Sequence, residues 1–142
     1  MSLPTPAEMA ALHAAGFPME RAWTTAEFTG LLNLPGTRAF GDARAFALTR
    51  IAADEVELLT MATAPNARRQ GLARGLMAQW LQTAQEDGAQ RAFLDVAADN
   101  RAALTLYVSC GFEQTALRKG YYARPGHPLV DALLMARDLS PA

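Results

Sequence analysis

The residues best suited to chemistry lie in the segment 55–77, where an apolar stretch runs into a basic turn that contains glycine. The turn opens a stretch with helical periodicity. Free amides and the positive end of the helix dipole at a helix start attract an anion, and the guanidiniums of Arg68, Arg69 and Arg74 stand beside them. Gly71 lets the backbone approach that anion closely, because it has no side chain. The segment therefore predicts a pyrophosphate-binding site.

Two common phosphate-binding loops do not fit this turn. The triphosphate loop G-x-x-x-x-G-K-[ST] requires a lysine and a hydroxyl residue that the chain lacks after its glycines, and the dinucleotide pattern G-x-G-x-x-G does not occur. The turn instead resembles the R/Q-x-x-G-x-G/A signature of the GNAT superfamily of N-acetyltransferases. The residues that carry this resemblance are Arg68, Arg69, Gln70, Gly71, Leu72 and Ala73.

A second segment, residues 94–112, resembles another part of the same superfamily. Asn100 precedes an alanine-rich stretch with a Leu-Tyr pair that ends at Tyr107, and a Gly-Phe pair follows. The order and spacing of the two segments most resemble the ribosomal-protein-alanine N-acetyltransferases, over residues 55–137. Two separate segments thus agree on one family.

The resemblance implies an α/β chain with the GNAT acyl-CoA N-acyltransferase fold, in which a mixed, mostly antiparallel central sheet is flanked by helices. It also implies that acetyl-CoA is the co-substrate. The diphosphate would bind at residues 68–74, and strand backbone would contact the thioester and pantetheine at Met61, Ala62 and Thr63. Asn100 either donates a hydrogen bond to the pantetheine arm or serves only as a helix cap.

Acetyl transfer to an amine needs a proton acceptor, and two carboxylates are candidates. The resemblance places this base at Asp95, where relatives carry glutamate. Glu57 is the alternative, because strand periodicity predicts one face that carries Glu57, Leu59, Met61 and Thr63 beside the cofactor. Deprotonating an α-amino group at neutral pH costs about 3 kcal/mol less than deprotonating lysine, so a modest base suffices for an N-terminus.

The departing thiolate needs a proton, and Tyr107 is the candidate donor because helical spacing places it on one face with Cys110. Cys110 could itself carry an acetyl group, but it has no histidine nearby in sequence, so packing is the favoured interpretation. Tyr121 and Tyr122 either wall the acceptor groove or pack on an edge strand.

Length and composition suit one domain spanning residues 1–142. The net charge of −1 argues against broad electrostatic binding to nucleic acid or to an anionic membrane. One cysteine excludes an internal disulfide, and neither His13 nor His127 has metal-ligand spacing, so no metal is expected. Without a signal peptide or spanning segment, the cytoplasm is the expected location.

Capping, periodicity and turn signals predict the helices and strands that position these sites. The predicted helices are about 5–16, 24–32, 71–88 and 101–110. The predicted strands are 37–40, 45–53, 56–63, 91–97, 112–118 and 129–137, with a Gly41-Asp42 turn after the first. The first three strands should form an antiparallel meander, and the strand, helix, strand unit at 56–97 should place the cofactor beyond its strand ends.

The resemblance, together with these candidate groups, implies direct acetyl transfer from acetyl-CoA to the N-terminal alanine of a ribosomal protein. Two alternatives remain. One is an acetyltransferase that acts on a small amine or a lysine side chain, because the N-terminal region resembles the family least. The other is a non-catalytic acyl-CoA sensor that keeps the phosphate cradle.

Overall fold

A computed structural model describes residues 2–139, which form four helices, a short 3-10 turn and six strands. The helices are α1 Pro6–Gly16, α2 Thr25–Leu32, α3 Leu72–Glu86 and α4 Arg101–Ser109. The strands are β1 Thr37–Asp42, β2 Ala45–Ala52, β3 Glu55–Thr63, β4 Arg91–Ala97, β5 Glu113–Tyr122 and β6 Val130–Asp138. The 3-10 turn, Pro65–Ala67, connects β3 to the basic segment before α3.

The first two helices begin where their capping residues predict. In α1 the Thr5 side chain accepts from the Glu8 amide while the Glu8 side chain accepts from the Thr5 amide. Thr24 and Glu27 form the same reciprocal pair at the start of α2. Each capping box satisfies two amides that a helix start leaves free.

The strands form one mixed sheet in the order β1-β2-β3-β4-β6-β5. β1, β2 and β3 form the expected antiparallel meander, and β6 pairs antiparallel with both β4 and β5. β3 and β4 run parallel and are connected through α3. The expectation of a mixed, mostly antiparallel sheet flanked by helices is confirmed.

The helices cover the two faces of the sheet unequally. α3 and α4 pack on one face, which we call the α3 face; its core includes Leu58, Trp80, Leu94 and Tyr107. α1 and α2 cover the opposite face, the α1 face, but their cluster reaches only strands at the β1–β3 end of the sheet. The α1 face of β4, β6 and β5 is therefore left for other contacts.

The predicted Gly41-Asp42 turn is wrong by two residues. Both residues pair with β2, and the turn lies at residues 43–44. The Asp42 carboxylate accepts from the Arg44 amide at 2.8 Å, which closes the later turn. Gly41 is required within the strand, because its φ is +101° and a Cβ there would lie 2.2 Å from the carbonyl oxygen of Ala45.

The strand predicted at 112–118 begins at Glu113 and continues to Tyr122. Its pairing with β6 shifts register between Arg118 and Tyr122, and the Asp131 carboxylate accepts from the Gly120 amide at 2.9 Å inside this irregular stretch. The sequence did not reveal this continuation because the irregular pairing interrupts the alternation of the strand.

The prediction that Glu57, Leu59, Met61 and Thr63 share one face is wrong. The register between β2 and β3 passes from Leu48 opposite Thr60 to Thr49 opposite Leu58, so Leu59 is an extra, bulged residue. A bulge reverses the side-chain alternation beyond it. Leu59 consequently packs on the α1 face and Met61 on the α3 face.

Candidate active site

The site is built around a gap in the sheet between β3 and β4. Their parallel pairing ends with Glu57 opposite Phe93, although β3 continues to Thr63 and β4 to Ala97. In an antiparallel pair, alternate residues direct their N–H and C=O groups away from the partner strand. Half of the backbone groups of residues 58–63 therefore face this gap, which we call the wedge, and can bind another molecule.

The predicted backbone contacts Met61, Ala62 and Thr63 lie on this edge of β3, next to the Leu59 bulge. Strand residues at the opening of a gap must find partners for their polar backbone groups outside the sheet. An extended molecule with amide groups, such as a pantetheine arm, would supply such partners. The position of residues 61–63 on this edge supports the predicted contact with pantetheine, which uses backbone groups and needs no particular side chain.

The predicted pyrophosphate cradle lies at the start of α3. Gly71 is the N-cap residue, with left-handed φ of +77° and no side-chain cap. The first backbone hydrogen bond of the helix is that of the Gly75 amide to the Gly71 carbonyl, so the amides of Leu72, Ala73 and Arg74 remain free. A Cβ on Gly71 would meet nothing within 4 Å, so the space beside this N-cap residue is open.

Basic side chains surround this cradle. Arg68, Arg69 and Arg74 are exposed, and none forms an ion pair with another residue in 2–139. Arg69 also has positive φ, 64°, next to Gln70 and the left-handed glycine. Free amides, a helix dipole and unpaired guanidiniums suit the two charges of a diphosphate. The residues present therefore fit the anionic part of acetyl-CoA.

The two candidate bases project from the same face of the sheet. Glu57 lies opposite Phe93, and Asp95 follows Phe93 by two positions, so both carboxylates lie on the α1 face. Burial raises the pKa of Glu57, and the nearby Asp95 carboxylate raises it further, while Arg50 and Arg118 oppose the shift. Asp95 is on the part of β4 that borders the wedge, whereas Glu57 is at its closed end.

Tyr107 is buried on the α3 face, where its ring centroid is 6.2 Å from that of Phe112. Burial raises the pKa of Tyr107 to about 12, with a smaller contribution from Cys110. The phenol is therefore neutral at physiological pH and can donate. Among the described residues, Thr37 Oγ1 is the one fully buried side-chain polar atom without a hydrogen-bond partner, so the Tyr107 hydroxyl is not a fully buried, unsatisfied group.

Asn100 acts as the N-cap of α4, because its Oδ1 accepts from the Ala103 amide at 3.2 Å. The capping interpretation is confirmed. The side-chain NH₂ group is free of that bond and can still donate to a ligand, so the predicted contact with pantetheine stays a prediction.

Tyr121 and Tyr122 lie at the end of β5, with ring centroids 5.2 Å apart in an edge-to-face arrangement. Tyr121 is exposed, and the Arg118 guanidinium lies 5.3 Å from its centroid. Tyr122 is half-buried, and burial raises its pKa to about 12 with further contributions from Asp95, Glu20, Tyr121 and Tyr107. Tyr122 is therefore near the carboxylates of Asp95 and Glu20.

Several polar residues of this region were missed by sequence reasoning. Arg118 lies close enough to influence Glu57, and Arg124 forms ion pairs with Glu20 and Asp99. Glu20 and Arg124 are 104 positions apart. No local signal could have connected them, because the contact depends on how the sheet brings the two loops together.

Cys110 and His13 have structural contacts. Cys110 is partly buried against the α3-face core, in agreement with the packing interpretation. His13 is buried, stacks on Trp23 with centroids 4.8 Å apart, and its Nδ1 accepts from the Trp23 amide at 3.2 Å. His13 therefore holds the start of α2 against α1 through its contacts with Trp23.

No cluster of three or more His, Cys, Asp or Glu side chains among residues 2–139 could hold a metal ion. None of the helices in this range is long and apolar enough to cross a membrane.

The arrangement has three chemical capabilities. The start of α3 can hold a diphosphate, the wedge can bind an extended chain through backbone hydrogen bonds, and the two faces of the wedge carry different proton chemistry. A carboxylate lies on the α1 face at Asp95, and a neutral phenol lies on the α3 face at Tyr107. A nucleophile that must lose a proton and a leaving group that must gain one could thus react between them.

Comparison with known proteins identifies similar chains. The model of the acetyltransferase (GNAT) family matches residues 8–112. The "[Ribosomal protein bS18]-alanine N-acetyltransferase" of Escherichia coli strain K12 is 37% identical over 101 residues, which are 70% of this chain and 67% of that relative. The "N-alpha-acetyltransferase RimI" of Mycobacterium tuberculosis is 33% identical over 138 residues, covering 91% of this chain and 84% of the relative.

A solved structure agrees with these relatives. The crystal structure of the ribosomal-protein-S18-alanine N-acetyltransferase from Escherichia coli superposes with a TM-score of 0.85 at 28% sequence identity. The superposition covers 95% of this chain and 88% of that one.

Proposed function

This chain belongs to the acetyltransferase (GNAT) family and is an N-acetyltransferase, and from this premise we propose that it acetylates the N-terminal alanine of a ribosomal protein. The acetyl group would pass directly from acetyl-CoA to the amine while both are bound. The name of the Escherichia coli relative specifies an alanine of ribosomal protein bS18, which makes a protein N-terminus the best-supported acceptor. Such a reaction belongs in the cytoplasm, where ribosomes are assembled.

The observation that carries the proposal is the wedge with a cradle at its opening. Gly71 and the free amides after it would hold the diphosphate, and Arg68, Arg69 and Arg74 would neutralise it. The backbone of residues 61–63 would hold the pantetheine arm as it passes between β3 and β4. Acetyl-CoA supplies an activated thioester when it is bound there.

Asp95 is our proposed acceptor of the amine proton, directly or through one water. It borders the wedge on the open α1 face, and it is the position at which the family resemblance places the base. Glu57, deeper in the wedge, provides a second carboxylate whose raised pKa allows it to share that proton. An α-amine has a pKa of about 7.7 to 8.0, so a base of modest strength can act on it.

Tyr107 is our proposed donor to the departing sulfur. Its pKa of about 12 lies above the value of about 8.5 for a free thiol, so complete transfer to a solvated thiolate would be uphill by about 5 kcal/mol. The phenol is therefore better suited to donate a hydrogen bond to the sulfur while negative charge develops there. Tyr121 and Tyr122 would border the acceptor on the α1 face.

The test is mass spectrometry of a peptide that begins with alanine, incubated with the protein and acetyl-CoA. We expect a gain of one acetyl group at the N-terminus, with stoichiometric release of CoA. The same peptide with a blocked N-terminus and a free lysine is the matched control. Acetylation of the control alone would favour the side-chain acceptor, and binding of acetyl-CoA without CoA release on either peptide would favour the sensor.

The diphosphate site has its own test. Acetylpantetheine contains the thioester and the arm but lacks the diphosphate. If residues 68–74 hold that group, substituting Arg74 by glutamine should weaken acetyl-CoA binding but leave turnover of acetylpantetheine unchanged. Equal losses with both acetyl donors would show that Arg74 acts elsewhere.

A further inference from the structure

Arg124 connects two carboxylates that come from distant parts of the chain. Its Nη2 and Nε lie 2.9 and 3.2 Å from Glu20 Oε1, and its Nη2 lies 3.0 Å from Asp99 Oδ1 while Nη1 contacts the other oxygen of Asp99 at 2.5 Å. Only 13% of the Arg124 side chain and 19% of that of Glu20 are exposed. The planar guanidinium fork suits such a two-sided contact.

The three residues belong to three different connections. Glu20 lies in residues 17–24 between α1 and α2, which we call the α1–α2 segment; Asp99 lies between β4 and α4, and Arg124 lies between β5 and β6. Glu20 belongs to the segment that joins the two helices of the α1 face. Tyr122 precedes Arg124 by two positions, and the carboxylates of both Glu20 and Asp95 influence its pKa. The ion pairs therefore lie at the edge of the site where the acceptor would enter.

The Asp99 side of this contact is firmly anchored. The Ala98 amide donates to the Asp131 carbonyl at 2.9 Å, and Asn100 caps α4. The contact with Arg124 also lowers the pKa of Asp99, so that carboxylate remains charged. Arg124 is thus held against a fixed part of the fold.

The supports of the α1–α2 segment come mainly from the two helices that it joins, since Phe17 and Trp23 pack in the α1-face cluster and Arg21 pairs with Glu27 of α2. Its backbone contacts within the described residues include the Glu20 amide to the Phe17 carbonyl at 3.2 Å and the Trp23 amide to His13 Nδ1 at 3.2 Å. Both of these partners lie in α1 or directly after it. Arg124 therefore supplies a link from this segment to the β5–β6 connection and the β4–α4 turn.

We propose that Arg124 is a positioning residue that holds the α1–α2 segment over the acceptor side of the site and thereby sets the affinity for the acceptor. Without the guanidinium, Glu20 and Asp99 would face each other as like charges and the segment would move away. The proposal rests on the proposed function in one respect, that an amine acceptor enters from the α1 face. It assigns Arg124 no part in the proton transfers.

The experiment compares Arg124→Gln with Arg21→Gln, a matched control that removes an exposed ion pair with Glu27 from the same segment. We expect Arg124→Gln to raise the acceptor KM about tenfold while kcat and the acetyl-CoA KM stay close to wild type. Arg124→Lys keeps the charge but not the planar fork, so its acceptor KM should lie between those of wild type and Arg124→Gln. The double variant Glu20→Gln with Arg124→Gln should have an acceptor KM no higher than that of Arg124→Gln alone.

Hydrogen exchange of residues 17–24 provides a measurement that needs no acceptor. Exchange should accelerate in Arg124→Gln and stay unchanged in Arg21→Gln. The proposal is overturned if the two variants match in both exchange and acceptor KM, or if kcat falls while the acceptor KM is constant. Failure of wild type to acetylate alanine peptides would instead contradict the proposed acceptor, and the exchange result would still decide the role of Arg124.

Discussion

Glu57 lies opposite Phe93 at the last paired position between β3 and β4, and Asp95 stands two residues farther along the same face. Both carboxylates are consequently close to the point where the wedge begins. Glu57 is half-buried and has a raised pKa, whereas Asp95 borders the opening of the wedge. The two candidate bases therefore differ in burial and in their position along the wedge.

Replacing Asp95 by asparagine should lower kcat about 10²-fold to 10⁴-fold, because general base catalysis contributes that range. Glu57→Gln should lower kcat less, since Glu57 lies deeper in the wedge. Steady-state assays with an alanine peptide across pH 6 to 9 would measure both. A larger loss for Glu57→Gln would transfer the role of base to Glu57. Asp95→Glu, which keeps a carboxylate on a side chain longer by one methylene, is the matched control and should retain activity.

Glu57 also predicts a pH dependence of stability. Its pKa is higher in the folded chain than in the unfolded chain, so its protonated form favours folding and its ionised form opposes folding. This stabilisation is present below the ordinary pKa and is lost as pH rises through the raised one. Glu57→Gln should therefore unfold at a higher temperature than wild type at pH 7.5, with an advantage that shrinks toward pH 4.5.

Calorimetry of Glu57→Gln and of Glu113→Gln at both pH values would test this. Glu113 is an exposed carboxylate at the start of β5 and serves as the control. An equal change of unfolding temperature in the two variants would contradict burial as the cause of the raised pKa of Glu57. So would an unfolding temperature of Glu57→Gln that rises further above that of wild type as the solution becomes more acidic.

Tyr107→Phe should lower kcat about 10²-fold to 10³-fold, the effect of removing one donor to developing charge. Acetyl-CoA should bind as in wild type. Stability should change little, because the hydroxyl makes no hydrogen bond to another described residue and the ring that packs on Phe112 remains. Turnover and titration calorimetry separate these effects, and unchanged turnover with intact binding would remove Tyr107 from the mechanism.

Gly71→Ala should weaken acetyl-CoA binding, because a methyl group would occupy open space at the N-cap of α3, where the diphosphate is proposed to bind. The left-handed φ of +77° also adds strain of about 1–2 kcal/mol for a residue with a side chain.

Gly75→Ala is the matched control, one turn farther along the exposed side of α3. Alanine there should stabilise the helix by about 0.5–1 kcal/mol and leave binding unchanged. Equal affinities of the two variants for acetyl-CoA would argue that the diphosphate lies away from Gly71.

Much of the site could be located from the sequence because its signals are local. The basic turn with Gly71, the capping role of Asn100 and the capping threonines of α1 and α2 each depend on residues a few positions apart. Their backbone geometry follows from steric limits and nearby donors. The residues that resemble one family were sufficient to predict the fold class.

The sequence by itself therefore determined where the helices start, the succession of strands along the chain and the candidate groups for chemistry, whereas the insertion of β6 between β4 and β5 came from the structure. Tertiary structure alone decided which faces those groups occupy. The bulge at Leu59 places Glu57 and Met61 on opposite faces, and the sheet brings Arg124 to Glu20 from 104 positions away. Strand register and ion pairs of this kind depend on the packing of segments that are distant in sequence, whereas a cap or a turn forms from immediate neighbours.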